Sequence, residues 1–240
     1  MQASTGARAE GWAWQRQNTR LRDFTSCTLL AERPRVSTLH SAQPDLFDDT
    51  EGLPPGLQVV HDFITPADEA ALLALARELP LREAHYKQYT ARRRVVTYGS
   101  TRDSGAHGLP QHEITALPAP LQALREQLAR WLGIAAADFV HVMVSEYARG
   151  TPLGWHRDAP DYGLIAGVSL GSAARLRLRP WPPAASNRSE LVTLELASRS
   201  AYVMRGSARW GWQHSVPPVP ALRHSVTLRT LRTLCTAAAR

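Results

Sequence analysis

Residues 175–179 read Arg-Leu-Arg-Leu-Arg (RLRLR), and that alternation decides the fold class. A period of two puts Leu176 and Leu178 on one face and the arginines on the other, as a half-buried strand requires. Working outward, short β-prone segments recur at Phe139–Tyr147, Leu164–Leu170, Leu191–Leu196, Ala201–Met204, Arg209–His214 and Arg223–Leu231. Pro, Gly and Ser clusters separate them. Two helices precede these strands. Thr65-Pro66-Ala67-Asp68 starts the first, with Thr65 as cap, Pro66 at the first helical position and Asp68 near the positive helix end. Leu72, Leu75 and Leu79 follow at helical spacing, and Pro80 closes it. The second spans Pro120–Leu132, with Leu121, Leu124, Leu128 and Trp131 on one face. Tyr86–Gly99 is basic and aromatic and ends in strand-like VVTY. The expected fold is mainly β with flanking helices, a β-sandwich or jelly roll.

The remaining composition bounds the chain. Its 240 residues suit one sizeable domain, or a domain plus an extension. Residues 1–50 mix polar and charged types without a period, and the acidic stretch Gln43–Glu51 leads into a Pro54-Pro55 turn, so a poorly ordered N-terminal extension is expected over 1–52 and a folded domain over 53–240. Cys27 and Cys235 cannot build a disulfide framework or a cysteine zinc site. No apolar run approaches the ~18–20 residues of a membrane span. The first 20 residues do not read as a secretory signal, so a cytoplasmic protein is expected. Neither an internal repeat nor a Gly-rich phosphate loop is present. Charge is lopsided: residues 175–240 hold 11 Arg against Glu190 and Glu195, while the remainder is close to neutral. Such a region suits a polyanion or an anionic ligand. Lys87 is the only lysine, so arginine usage alone has a second explanation in coding bias.

Two clusters carry chemistry. In Trp155-His156-Arg157-Asp158, residues 156 and 158 share a face if the segment is a strand. A third ligand from a distant strand, His214, would complete two histidines and a carboxylate. That set leaves three coordination positions open and suits non-haem Fe(II). Alone, His-x-Asp is equally a surface histidine beside a charged turn. The second cluster is Arg223-His-Ser-Val-Thr-Leu-Arg229, which places Arg223, Ser225, Thr227 and Arg229 on one strand face. Two arginines entering a barrel mouth call for a dianion, and a dicarboxylate fits their forks. A solvated edge strand is the alternative. His141 reads as a packed histidine, and His107 and His112 lack a third partner.

In order, spacing and local sequence these blocks resemble the AlkB family of 2-oxoglutarate/Fe(II)-dependent dioxygenases over about residues 56–232. The matching stretches include SEYARGTPLGWHRD, YTARRRVVTYG and VSLGSAARLRLRP. The resemblance implies a double-stranded β-helix, the jelly roll, and Fe(II) held by His156, Asp158 and His214. Molecular oxygen and 2-oxoglutarate would be co-substrates. Arg223 would grip the distal carboxylate with Tyr147 donating a hydrogen bond; Ser225 would lie nearby and Arg229 near the keto-acid end. Ser145 stands where the family has Asn, which implies a weakened or water-bridged contact.

The implied reaction is oxidative dealkylation of N-alkylated nucleobases in DNA or RNA. The implied partner is alkylated nucleic acid, more readily single-stranded because base flipping then costs least. No obligate protein partner is expected. Tyr86, Lys87, Tyr89, Arg92, Arg93, Arg94 and Tyr98 lie where the family places its nucleotide-recognition lid, and are the candidate substrate contacts; an ordinary basic edge segment is the other reading. The alternative functions are a hydroxylase of a protein or small molecule, and a non-catalytic nucleic-acid module. Arg92–Arg94 at the cleft mouth would favour nucleic acid; pairing with acids away from it would favour the hydroxylase.

Overall fold

The computed structural model describes residues 52–86, 89–99, 111–112, 114–183 and 191–232. The expected N-terminal extension, up to residue 51, lies outside them, as do Lys87 and His107. The elements are β1 (Leu57–Val60), α1 (Pro66–Glu78), β2 (Arg82–Tyr86), β3 (Tyr89–Gly99), β4 (Gln111–His112), α2 (Ala119–Leu132), β5 (Phe139–Tyr147), β6 (Leu153–His156), β7 (Tyr162–Gly171), β8 (Ala174–Pro180), β9 (Val192–Leu196), β10 (Ala201–Met204), α3 (Gly206–Trp210), β11 (Trp212–Val216) and β12 (Arg223–Leu231).

The strands form two sheets. The major one runs β1-β10-β7-β12-β5-β3-β2, with β4 also paired to β3; the minor one runs β6-β11-β8-β9. This is the expected jelly roll with helices on one side. Leucines make the alternation of β8 work: Leu176 and Leu178 are buried while Arg175 is exposed. They join Tyr147, Ile165, Leu196 and Met204 in a core between the two sheets. A second core lies between the outer face of the major sheet and the helices, where Leu72, Leu121, Leu124 and Leu128 meet Val96, Tyr98, Val142, Val144, Val226 and Leu228. Each such leucine contributes roughly 1.5–3 kcal/mol by leaving water.

Both helices end for local reasons. The Thr65 hydroxyl accepts from the Asp68 amide and the Asp68 carboxylate accepts from the Thr65 amide, a complete capping box. Helix α2 stops at Gly133, whose φ of 66° is costly for any residue with a Cβ.

Two expectations are corrected and one alternative falls away. Residues 209–214 are not one strand: α3 occupies the start, and β11 begins at Trp212. The helical turn lets buried Arg209 aim its guanidinium at backbone carbonyls, which an extended chain would not. Strand β6 ends at His156, so Asp158 lies just beyond it. The Arg223–Arg229 segment is no solvated edge, because β12 pairs with β5 on one side and β7 on the other.

Candidate active site

The cup between the sheets is furnished by register. His156 on β6 lies directly opposite His214 on β11, and their ring centroids are 4.2 Å apart. The chain then turns, and Asp158 brings Oδ2 to 3.6 Å from His214 Nε2. One ligand atom from each of the three residues lies within 4.8 Å of the others. His156 Nδ1 sits 2.9 Å from the Gly154 carbonyl. A proton on Nδ1 donates there and leaves Nε2 free for a metal.

Protonation states suit a cation. Burial pulls His214 down to about 3, helped by the neighbouring His156 ring. Burial also lowers His156, against the pull of Asp158. For Asp158 burial acts upward, but Arg229 and the two histidines outweigh it and hold the carboxyl far below the ordinary range. At neutral pH the set is two neutral imidazoles and one carboxylate, so a metal need displace no proton.

Two arginines set the carboxylate. Arg229, expected near the keto-acid end of the co-substrate, grips Asp158 Oδ1 through Nε at 2.9 Å and Nη2 at 2.7 Å. Its Nη1 lies 3.2 Å from His141 Nδ1. His141 is thus packed, as expected, but orients the arginine that orients the ligand. Arg209 is 4% exposed. Its Nη2 donates to the carbonyls of Asp158 (3.3 Å), Ala159 (2.6 Å) and Tyr162 (2.9 Å), tying down the turn that follows the metal motif.

A dianion pocket lies along β12. Arg223 is 2% exposed. Its Nε donates to Ser169 Oγ at 3.2 Å, and its guanidinium stacks 5.1 Å from the Tyr147 ring centroid. Among the described residues no carboxylate pairs with it, although a buried guanidinium costs several kcal/mol without one. Ser225 is opposite Ser145 and Ser169 in register. The Ser145 hydroxyl is buried without a hydrogen-bond partner. Burial would raise the Tyr147 phenol, but Arg93 and Arg223 outweigh it and lower it. Tyr202 enters the same cup from β10, and burial pushes it up to about 12. An unmatched arginine and an orphaned serine fit a dicarboxylate, and the triad fits a divalent iron ion.

The candidate substrate residues scatter. Arg93 is half-buried, and its Nη1 donates to Tyr147 Oη at 3.3 Å, so it faces the cup. Arg94 faces away and pairs with Glu146, Nη2 to Oε1 2.6 Å. Arg92 is exposed. Tyr98 is corrected outright: at 4% exposed it belongs to the core against the helices, because alternation along β3 turns it from the cup. Tyr86 and Tyr89 fall on β2 and β3, with side chains outside the described residues. Sequence reasoning missed Arg209 and Tyr202. Ser169 lay inside a matching block, but its place opposite Ser225 emerges only from the register of β7 and β12.

The family model described as the 2OG-Fe(II) oxygenase superfamily matches residues 56–234. The chain belongs to that superfamily. Its members' cofactors, Fe(II), 2-oxoglutarate and O2, are therefore those of this oxygenase, an oxidoreductase. An uncharacterized protein, L905 of Acanthamoeba polyphaga mimivirus, is 24% identical over 68% of this chain and 73% of its own. An Arabidopsis thaliana protein named "Alkylated DNA repair protein ALKBH8 homolog" is 25% identical over 77% of this chain. The match spans 57% of that relative's length. Among solved structures, OsALKBH1 superposes with a TM-score of 0.51 at 15% identity, over 74% of this chain and 99% of that one. A Pseudomonas putida prolyl-4-hydroxylase gives 0.50 at 19%, over 77% and 96%. These likenesses carry the fold, and the plant relative agrees with the AlkB-like motif blocks of this oxygenase. No helix among the described residues is long and apolar enough to cross a membrane.

Proposed function

We propose that this oxygenase removes N-alkyl groups from nucleobases in DNA or RNA by oxidation. The observation that carries the reading is the pairing in one cup of the His156–Asp158–His214 cluster with a buried, carboxylate-free Arg223. His156, Asp158 and His214 would hold Fe(II), which would supply oxidative chemistry that couples loss of CO2 from 2-oxoglutarate, leaving succinate, to O2-dependent hydroxylation of a C–H bond. The chain's own residues supply the rest. Arg223 would take the distal carboxylate, with Tyr147 and Ser225 flanking it, and Ser145 would offer one hydroxyl to the co-substrate. Arg229 holds Asp158 in place so that one carboxylate oxygen stays directed at the metal. Leu176, Leu178 and Met204 pack in the same core as Tyr147 and Tyr202 and would help keep water from the reacting carbon. A hydroxylated N-alkyl group is a hemiaminal, which collapses to an aldehyde and restores the base.

Nucleic acid is favoured as substrate by the AlkB-like motif blocks, by the plant relative named for repair of alkylated DNA and by Arg93, which brings a cation to the cup. A damaged base on a single strand costs least to present. Arg94, neutralised by Glu146, favours the second reading, hydroxylation of a protein or small molecule.

The test is succinate release from 2-oxoglutarate and Fe(II) in air, with and without a methylated single-stranded oligonucleotide, with H156A as control. Oligonucleotide-stimulated succinate with loss of one methyl mass is the expected result. Succinate without a mass change overturns the nucleic-acid reading in favour of the hydroxylase.

A further inference from the structure

The minor sheet has a second cationic surface, on its outer side. On β8 the leucines face the core, so Arg175, Arg177 and Arg179 face outward. His214 points inward from β11, so its neighbours Gln213 and Ser215 share that outer face. Arg177 Nε donates to Ser215 Oγ at 3.2 Å, and Arg179 Nε donates to Gln213 Oε1 at 3.0 Å. Both guanidiniums stack on the Trp155 ring of β6, at 5.1 and 4.3 Å from its centroid. Past the end of β8, Arg157 stacks on Trp181 at 4.9 Å and donates from Nη1 to the Trp210 carbonyl at 3.1 Å.

Each of these partners is neutral. Arg175 faces Glu195 across the β8–β9 pair. Among the described residues no carboxylate pairs with Arg157, Arg177 or Arg179. Arg199, by contrast, is neutralised by Asp62 and Glu69. Here the tryptophan and the Nε bonds fix each fork without cancelling its charge, and they leave the terminal nitrogens of Arg177 and Arg179 to an outside anion. Residues at i and i+2 on a strand stand about 6.7 Å apart, comparable to successive phosphates of an extended strand.

We propose that this face tracks the phosphates of a single-stranded nucleic acid and holds it beside the active site. Position favours that partner. β6 is an edge strand, with His156 facing the cup and Trp155 the outer surface. A chain leaving the cup over that edge meets Arg157 and then the Arg177–Arg179 file. A flexible single strand can round such an edge, whereas a duplex with a persistence length of about 150 base pairs bends only at a cost. The inference extends the nucleic-acid reading to a new surface, and its test reads binding, not dealkylation.

The experiment is fluorescence anisotropy of a labelled, unmodified oligothymidylate with the full chain, over a salt series. R177Q/R179Q is expected to bind more weakly, with a slope of log affinity on log salt shallower by about 1.4, two phosphate contacts at ~0.7 each. R177K/R179K keeps the charge and is expected to keep the slope. Succinate formation without oligonucleotide should be unchanged in both. Should the double variant fail to fold by circular dichroism, R177Q and R179Q singly are each expected to lose about half that slope change. Wild-type affinity and slope in the Gln variants overturn the proposal, as does a wild-type protein that binds polyglutamate as tightly. Salt-dependent binding lost in R177Q/R179Q, without any demethylation by the wild type, supports this surface while the dealkylation reading falls.

Discussion

Replacing Arg209 by Met tests how the metal carboxylate is aimed. Methionine fills much of the same volume but deletes the nitrogen that serves the carbonyls of Asp158, Ala159 and Tyr162. A hydrogen bond to a charged donor contributes about 1.5–3 kcal/mol. Three sharing one nitrogen do not add, and the Arg209 Nε is itself buried without a partner, a cost that the substitution removes. The desolvation of the guanidinium, which lowers its pKa, is relieved as well. The net expectation is a loss of about 2–3 kcal/mol from urea unfolding of the metal-free protein. Because the freed turn begins at Asp158, divalent metal affinity should fall about 10–100-fold, as when a ligand loses its support. Manganese, read by quenching of tryptophan fluorescence, serves as the probe. R209M with wild-type stability and wild-type manganese affinity would refute the account of Arg209 as the clamp of this turn.

Other perturbations divide binding from folding. R223M should abolish 2-oxoglutarate binding by calorimetry while leaving the metal-free protein as stable or more so, since an unpaired buried cation disappears. G167A should cost about 1–3 kcal/mol in thermal unfolding, because its Cβ would stand 2.5 Å from the Tyr202 ring. S145A, which deletes an orphaned hydroxyl, should leave the metal-free protein at least as stable in urea and should weaken 2-oxoglutarate binding in calorimetry. His141 is held at about 3 by burial and by Arg229, below its ordinary value. The unfolded chain therefore binds its proton first, and stability falls as pH drops below about 6.5, by up to ~2 kcal/mol at pH 5. H141Q should flatten that part of the urea-stability profile against pH.

The strands were legible where an apolar face alternates with a polar one, whether the polar face is partly exposed, as on β8, or buried in the cup, as on β12. RLRLR and RHSVTLR alternate because each has a packed face and a polar one, and both proved to be strands of the expected sheets. The segment 209–214 misled because RWGWQH reads as β-prone by composition. Its first two residues turn helically so that Arg209 can reach three carbonyls some 50 positions earlier, and no window on the sequence holds those acceptors. Asp158 could be paired with His156 by spacing, yet its position is set by the turn after β6 and not by strand alternation.

The site divides along the same line. Ligand types are written locally, as His-x-Asp and as alternating Arg-Ser-Thr-Arg, because neighbouring positions on one strand serve one cup. Their supports are not. Arg229 meets Asp158 across 71 positions and His141 across 88, so its part as holder of the ligand emerges only when β5, β12 and the turn after β6 come together. Tyr98 fails as a substrate contact for a reason alternation could have supplied. Arg93 and Tyr98 are five apart, an odd number, so on one strand they cannot share a face. Once Arg93 points to Tyr147 inside the cup, Tyr98 must join Val96 against the helices. The same parity sends Arg94 outward to Glu146, leaving Arg93 as the described cation that β3 contributes to the cup.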